Sequence, residues 1–122
     1  MRQEEVENLQ RQGYFVGIIE GAECRDLKST IANIAVVFQF PSYYGENLDA
    51  FWECINDLEW ITETNYAIII QNSALLMGDD TLDNKLYLMN LLNDVTKEWE
   101  RVPKYKGEDL YRQKADFKVI YN

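Results

Sequence analysis

Tyr66-Ala67-Ile68-Ile69-Ile70 is the most hydrophobic run in the chain, and its lack of alternation decides the fold. A strand with one wet face alternates apolar and polar residues, whereas a strand buried on both faces is apolar throughout, as in a parallel sheet. Parallel strands need crossover connections, and both flanks of the run supply helical patterns for them. Upstream, beyond polar Thr62-Glu63-Thr64-Asn65, Asn47 is an N-cap candidate for a helix through about Leu58. Phe51, Cys54, Ile55 and Leu58 form its inward face, while Asp49, Glu53 and Asp57, spaced i, i+4, i+8, stack on another. Downstream, Asp79-Asp80-Thr81 opens a helix over about Leu82 to Trp99. Its expected stripe is Leu82, Leu86, Met89 and Leu92 with Leu88, Leu91, Val95 and Trp99 alongside, and Lys97 and Arg101 suit its dipole.

Further out, Leu27, Ile31, Ile34, Ala35 and Phe38 fall at helical spacing after Asp26, and Pro41 is expected to end that helix. Tyr14 to Glu20 reads as a first strand stopped by Gly21, and Ala115 to Tyr121 as a last one. Residues 1–13 read as a polar N-terminal extension, and Arg101 to Gln113 as a charged loop. The expectation is a single α/β domain over residues 1–122 in the order β-α-α-β-α-β, a three-stranded parallel sheet with helices packed against it.

Charge is distributed as unevenly as hydrophobicity. From Ser29 to Asn84 there is no Lys or Arg, while nine acids occur: Glu46, Asp49, Glu53, Asp57, Glu59, Glu63, Asp79, Asp80 and Asp83. The rest of the chain has 12 acids against 12 bases, so the net −9 is the charge of that block. A negative surface with rigid aromatics suits a cationic protein partner and repels nucleic acid. Two cysteines, Cys24 and Cys54, are too few for a secreted disulfide framework and read as small buried thiols in a reducing cytoplasm. Residues 1–12 lack the apolar core of a signal peptide, and no run approaches the roughly 20 apolar residues of a membrane span. We therefore expect a cytoplasmic protein with no membrane association.

Catalysis finds little support. The chain has no His, no Cys-x-x-Cys and no Gly-rich phosphate loop, so a base poised near neutral pH would have to be a strongly shifted group. A carboxylate- or metal-dependent hydrolase using Asp49 and Glu53 is the enzymatic alternative. The reading preferred is a non-enzymatic protein with no cofactor and no metal.

One stretch is specific. Pro41-Ser42-Tyr43-Tyr44-Gly45-Glu46-Asn47-Leu48-Asp49-Ala50-Phe51-Trp52 closely resembles the signature of barstar-type ribonuclease inhibitors, Pro-x-Tyr-Tyr-Gly-x-Asn-x-Asp-Ala-x-Trp. The resemblance implies a barstar-like fold and an immunity or antitoxin role, occluding the active site of a basic secreted ribonuclease or related toxin through an acidic helix and an aromatic turn. It implies partner contacts at Tyr43, Asn47, Leu48, Asp49, Trp52, Glu53, Asn56, Asp57 and Asp94. Glu53 stands where the family has a central aspartate, Asp57 where it has a glycine, Leu58 where it has an interface tryptophan, and Asp94 where it has a glutamate. These departures fit a target with a differently shaped cleft. The alternative is an interaction module of the same fold for another basic protein. Tyr44, Trp60 and Trp99 are expected to pack, Gly45 to serve backbone geometry, and the free protein to be a monomer.

Overall fold

The central strand, β2 (Asn65–Gln71), is buried at every position from Tyr66 to Ile70. The computed structural model describes residues 2–122; Met1, the first residue of the expected extension, lies outside the described residues. On one side β2 pairs in parallel with β1 (Tyr14–Glu20), Val16 opposite Ala67 and Ile19 opposite Ile70. On the other it pairs in parallel with β3 (Phe117–Tyr121), Ile68 opposite Val119, giving the sheet order β1-β2-β3. Both outer strands thus need crossovers, and α2 (Leu27–Val37), α3 (Leu48–Ile55) and α4 (Leu82–Glu100) supply them.

Alternate side chains leave β2 on opposite faces. Tyr66, Ile68 and Ile70 join Ile31, Ile34, Phe38, Phe51, Ile55, Leu88, Leu92, Val95 and Trp99 in the main core beneath α2, α3 and α4. Ala67 and Ile69 face the other way, where α1 (Arg2–Arg11) covers them with Leu9 and Val6. The residues read as a polar extension are therefore mostly a helix, and the full order is α-β-α-α-β-α-β. Two apolar residues three apart among ten positions make a faint signal, yet they seal the face that an unalternating β2 requires to be sealed.

Helix α2 begins as its sequence suggests. Asp26 is the N-cap, accepting from the Ser29 amide at 2.8 Å while Ser29 Oγ accepts from the Asp26 amide. Its end differs from expectation, for it stops at Val37, four residues before Pro41. Gln39 takes a left-handed conformation (φ 58°), its amide donates to Val36 O, and the Phe40 amide reaches back to Ala35 O at 2.9 Å. That is a Schellman closure, which satisfies the last carbonyls without a proline. Beyond β1, Gly21 passes so close to the next crossover that a Cβ there would lie 2.3 Å from Asn72 O.

Helix α4 is present but turned relative to its expected face. Leu88, Leu92, Val95 and Trp99 are buried, whereas Leu82, Leu86 and Met89 remain exposed. Both sets recur at helical spacing, and contact with β3 selects the first: Thr96 Oγ1 donates to Phe117 O at 2.9 Å. Asp80 then ties two helix starts together. Its carboxylate accepts from the Leu27 amide at 2.7 Å, the first turn of α2, and from the Thr81 amide at 2.7 Å, where Thr81 caps α4.

Candidate functional site

The segment between α2 and α3 is pinned from the core side. The Tyr44 amide donates to Pro41 O at 3.0 Å, and the Tyr44 ring meets Phe40 edge to face at 5.1 Å. Phe40 in turn packs on Phe51 and Trp60, whose Nε1 donates to Phe38 O at 2.8 Å. Tyr44 and Trp60 are therefore packing residues, as expected. With its neighbour anchored, Tyr43 is turned outward and is 71% exposed. The left-handed step into α3 is taken by Glu46 (φ 55°) rather than by Gly45. Gly45 instead leaves room for the cap, since a Cβ there would come within 3.3 Å of Asn47 Nδ2. Asn47 caps α3, its Oδ1 accepting from the Ala50 amide at 2.8 Å.

Helix α3 buries Phe51, Cys54 and Ile55 and exposes Leu48, Asp49 and Glu53. Asp49 lies in its first turn, where the helix dipole favours a carboxylate. The helix ends at Ile55 rather than near Leu58. The amides of Asp57 and Leu58 both fold back to Cys54 O, at 3.1 and 3.2 Å, and Leu58 turns left-handed (φ 51°) with its side chain wholly buried. Burying Leu58 thus breaks the expected i, i+4, i+8 column. Asp57 sits past the helix on the turn, exposed, and Asn56 is the C-cap. The Asn56 Nδ2 donates to Trp52 O at 3.0 Å, and its Oδ1 is buried with no hydrogen-bond partner among the described residues, so this residue supports the helix end more than it offers a free edge. Trp52 is half-buried and packs against the main core.

The turn and the helix end lie close enough to feel one another's charge. Desolvation first, then the charges of Asp57 and Glu59, raise the Tyr43 phenol above its usual pKa. Tyr43, Asp57 and Glu59 accordingly share one neighbourhood, although they flank α3 on opposite sides in sequence. Glu46 and Glu59 are exposed members of this surface that the motif alone does not single out. Membership of the lysine- and arginine-free block was the signal that could have found them. Among the described residues, none of Glu46, Asp49, Glu53, Asp57, Glu59 and Asp94 forms an ion pair. Asp94 is exposed on α4, and no hydrogen bond or ion pair among the described residues links it to α3.

Among the described residues no ion pair joins the late basic residues to these carboxylates, although Arg112 lines a cavity of about 240 Å³ with Asp57, Glu59 and Glu63. Lys104 pairs with Glu98 at 3.2 Å, and Arg112 pairs with Glu108 at 3.4 Å while lying 4.1 Å over the Trp99 ring. Trp99 also donates from Nε1 to Ile55 O at 3.1 Å, fastening the end of α4 to the end of α3. Within the acidic block only Asp79 is ion-paired among the described residues, to Arg25 at 2.5 Å. A cleft of about 590 Å³ opens beside Asn47 and Leu48, floored by Leu27, Ile31 and Tyr44 and edged by Asp80.

Such a surface attracts cationic groups. Among the described residues no group of three or more His, Cys, Asp or Glu side chains is placed to hold a metal ion. No helix among them is long and apolar enough to cross a membrane. Residues 14–121 match the model of the family described as Barstar (barnase inhibitor).

Proposed function

The chain belongs to the barstar family, and from that premise we propose that it inhibits a basic secreted ribonuclease, or a related toxin, by blocking its active site without turnover of its own. The observation that supports this is the set of exposed, unpaired carboxylates on and around α3 beside an outward-facing tyrosine. A ribonuclease must present Arg and Lys to RNA phosphates, and carboxylates on a rigid helix can occupy those phosphate positions. Glu53 is the central plug in this reading and Asp49 a second ion pair. Tyr43 leans on the catalytic region, while Asn47, Leu48 and Trp52 form the rim. Asp57 and Asp94 add flanking charge, and Asn56 supports the helix end. The uncompensated field also speeds encounter, which matters when a toxic enzyme must be caught in the cytoplasm that makes it.

One finding favours a second reading, in which the same surface engages a different basic protein. Leu58 is wholly buried, so an apolar contact position of the family surface is withdrawn into the core. Asp57 meanwhile adds a side chain where the family approaches its target through glycine.

The test is binding to a panel of basic secreted ribonucleases at several salt concentrations, with Asp49→Ala and Glu53→Ala. Each substitution is expected to weaken binding by about 2 kcal/mol or more, roughly 30-fold, in the range known for charge pairs at protein interfaces, this family's among them. Full affinity in the double variant would remove the assigned surface. Binding to basic proteins that are not ribonucleases, with the ribonuclease panel silent, would select the second reading.

A further inference from the structure

The signature gives residues 101–113 no part in partner contact, yet the fold brings their end against the same surface. This segment is fixed from within. Glu108 is buried, accepts from the Lys104 amide and pairs with Arg112, while the Tyr111 and Arg112 amides donate to Glu108 O at 2.9 and 3.2 Å. Arg112 lies over the Trp99 ring, and Trp99 is bonded to the end of α3, so the segment is carried to the turn that holds Asp57. Tyr111 stays outside this frame, 81% exposed, although Arg112 beside it is anchored.

The cavity of about 240 Å³ lies between this segment and the connection from α3 to β2. Its buried lining is Ile61, Tyr66 and Trp99, with Tyr111 contributed by the late segment and Asp57, Glu59 and Glu63 by the connection. Such a volume falls below the roughly 300–1,000 Å³ of a small-molecule site and suits a single side chain. The three carboxylates are exposed and form no ion pair among the described residues; Glu63 accepts from Thr62 Oγ1 at 3.3 Å. Arg112 is held back from the opening, with Nη1 on Glu108 at 3.4 Å and Nε and Nη2 buried. Three acids against one base leave the lining at net −2. Burial raises the Tyr66 phenol, Arg112 lowers it, and Asp57 and Glu63 raise it, so these charges converge on one ring.

We propose that this cavity receives one arginine side chain of the cationic protein that α3 engages, with Tyr111 as the ring it stacks on and Glu59 and Glu63 as its ion-pair partners. The proposal rests on the reading of α3 as the contact for such a protein, and it extends that contact to residues outside the signature. Continuity comes from Asp57, which lines the cavity and also shares a neighbourhood with the outward Tyr43. Charge excludes an anionic occupant, and the apolar floor favours a side chain with a long hydrocarbon stem. Arginine fits better than lysine, because a planar guanidinium can lie on a phenol ring and donate to carboxylates at once. Rigid, exposed tyrosines of this kind are the residues that anchor protein interfaces. Tyr111 and Glu63 thereby become specificity residues, selecting targets that carry an arginine beyond the cleft that α3 fills.

A blocked tripeptide, acetyl-Gly-Arg-Gly-amide, titrated into the full chain and followed by amide chemical shifts, tests the cavity directly. Its citrulline counterpart is the uncharged control. The expected result is a saturable shift confined to residues 57–66 and 111–113, absent with citrulline. Tyr111→Ala and Glu63→Gln, both at exposed positions, should each weaken this binding at least about fivefold. Shifts of equal size along α3, a titration that does not saturate, or unchanged binding in either variant would overturn the proposal. The ribonuclease panel separates this result from the fate of the α3 reading. An enzyme whose binding falls with Glu53→Ala but not with Tyr111→Ala or Glu63→Gln would overturn the cavity alone. Saturable seating of the arginine peptide with the panel silent would support the cavity and redirect the α3 surface to another basic protein.

Discussion

Leu58 and Gln39 adopt nearly the same left-handed backbone, φ 51° and 58°, for opposite reasons. Leu58 is held there by a wholly buried side chain, whereas Gln39 is exposed and merely closes α2. Glycine is the natural residue for that backbone, so Gln39→Gly is expected to stabilise the protein by up to about 1 kcal/mol in urea unfolding. Leu58→Ala is expected to cost about 2–5 kcal/mol, because the cavity outweighs any change in strain. It should also weaken partner binding beyond what Asp57→Ala does, since Leu58 anchors the turn that carries Asp57. Tyr14 shows residue-scale linkage with pH. Burial first, and then the hydrogen bond to and charge of Asp116, push its phenol up to about 12. The folded state therefore holds this proton more tightly than the unfolded state. The stability it contributes is complete below about pH 10 and disappears as pH rises toward 12. Burial shifts Tyr44, Tyr66 and Tyr121 the same way. Unfolding midpoints should fall over that alkaline window, and Tyr14→Phe should flatten part of the fall.

Between elements, the junction of α2 with α4 depends on one carboxylate. Asp80 serves the first turn of both helices, and its pKa is lowered chiefly by the amides of Leu27 and Thr81. Asp26 is lowered by its bonds from Ser29, and Asp79 by Arg25. A depressed carboxylate contributes stability above its unfolded pKa and loses it as pH falls through the folded value. Acid below the ordinary carboxylate value of 3.8 should therefore loosen this junction, and Asp80→Ala should lower the urea midpoint with little change in slope and with a weaker acid dependence. These caps show what was legible. Asn47 was readable as a cap, and Asp26 and Asp79-Asp80-Thr81 as the places where helices begin, because side-chain capping is local chemistry written in adjacent residues. The end of α2 was not, since a Schellman closure at Gln39 uses backbone groups that carry no residue signature. Helix α4 was legible as an element but not in its rotation, because two apolar stripes compete and only the position of β3 chooses between them. Asp57 was placed on a helix that the burial of Leu58 cuts short, a tertiary demand invisible at helical spacing. Of the expected site, the outward Tyr43 and the exposed Asp49 could be read from the motif, and the exposed Glu53 from its place one turn after Asp49. Their freedom from ion pairs depends on where Lys104 and Arg112 fold.

For the molecule as a whole, charge makes binding and folding answer oppositely to salt. A net −9 concentrated in one block repels itself in the compact state, so raising ionic strength should raise the unfolding midpoint slightly. The same salt should slow association with a basic ribonuclease while changing dissociation less. Stopped-flow and denaturation series at matched salt would show the two trends diverging. The sandwich of layers has a consequence of its own. Among the described residues the sheet's rear surface is roofed by α1, which grips it through Val6 and Leu9 and through the hydrogen bond that Asn122 Nδ2 donates to Glu5 at 2.9 Å. The matched family stretch starts only at residue 14, so the roof is an appendage to the shared framework and the easiest plank to pry loose. Trimming the amino terminus, or dragging on it with a bulky fusion, would bare Tyr14, Ala67 and Ile69 as a greasy shelf and set copies of the chain sticking to one another.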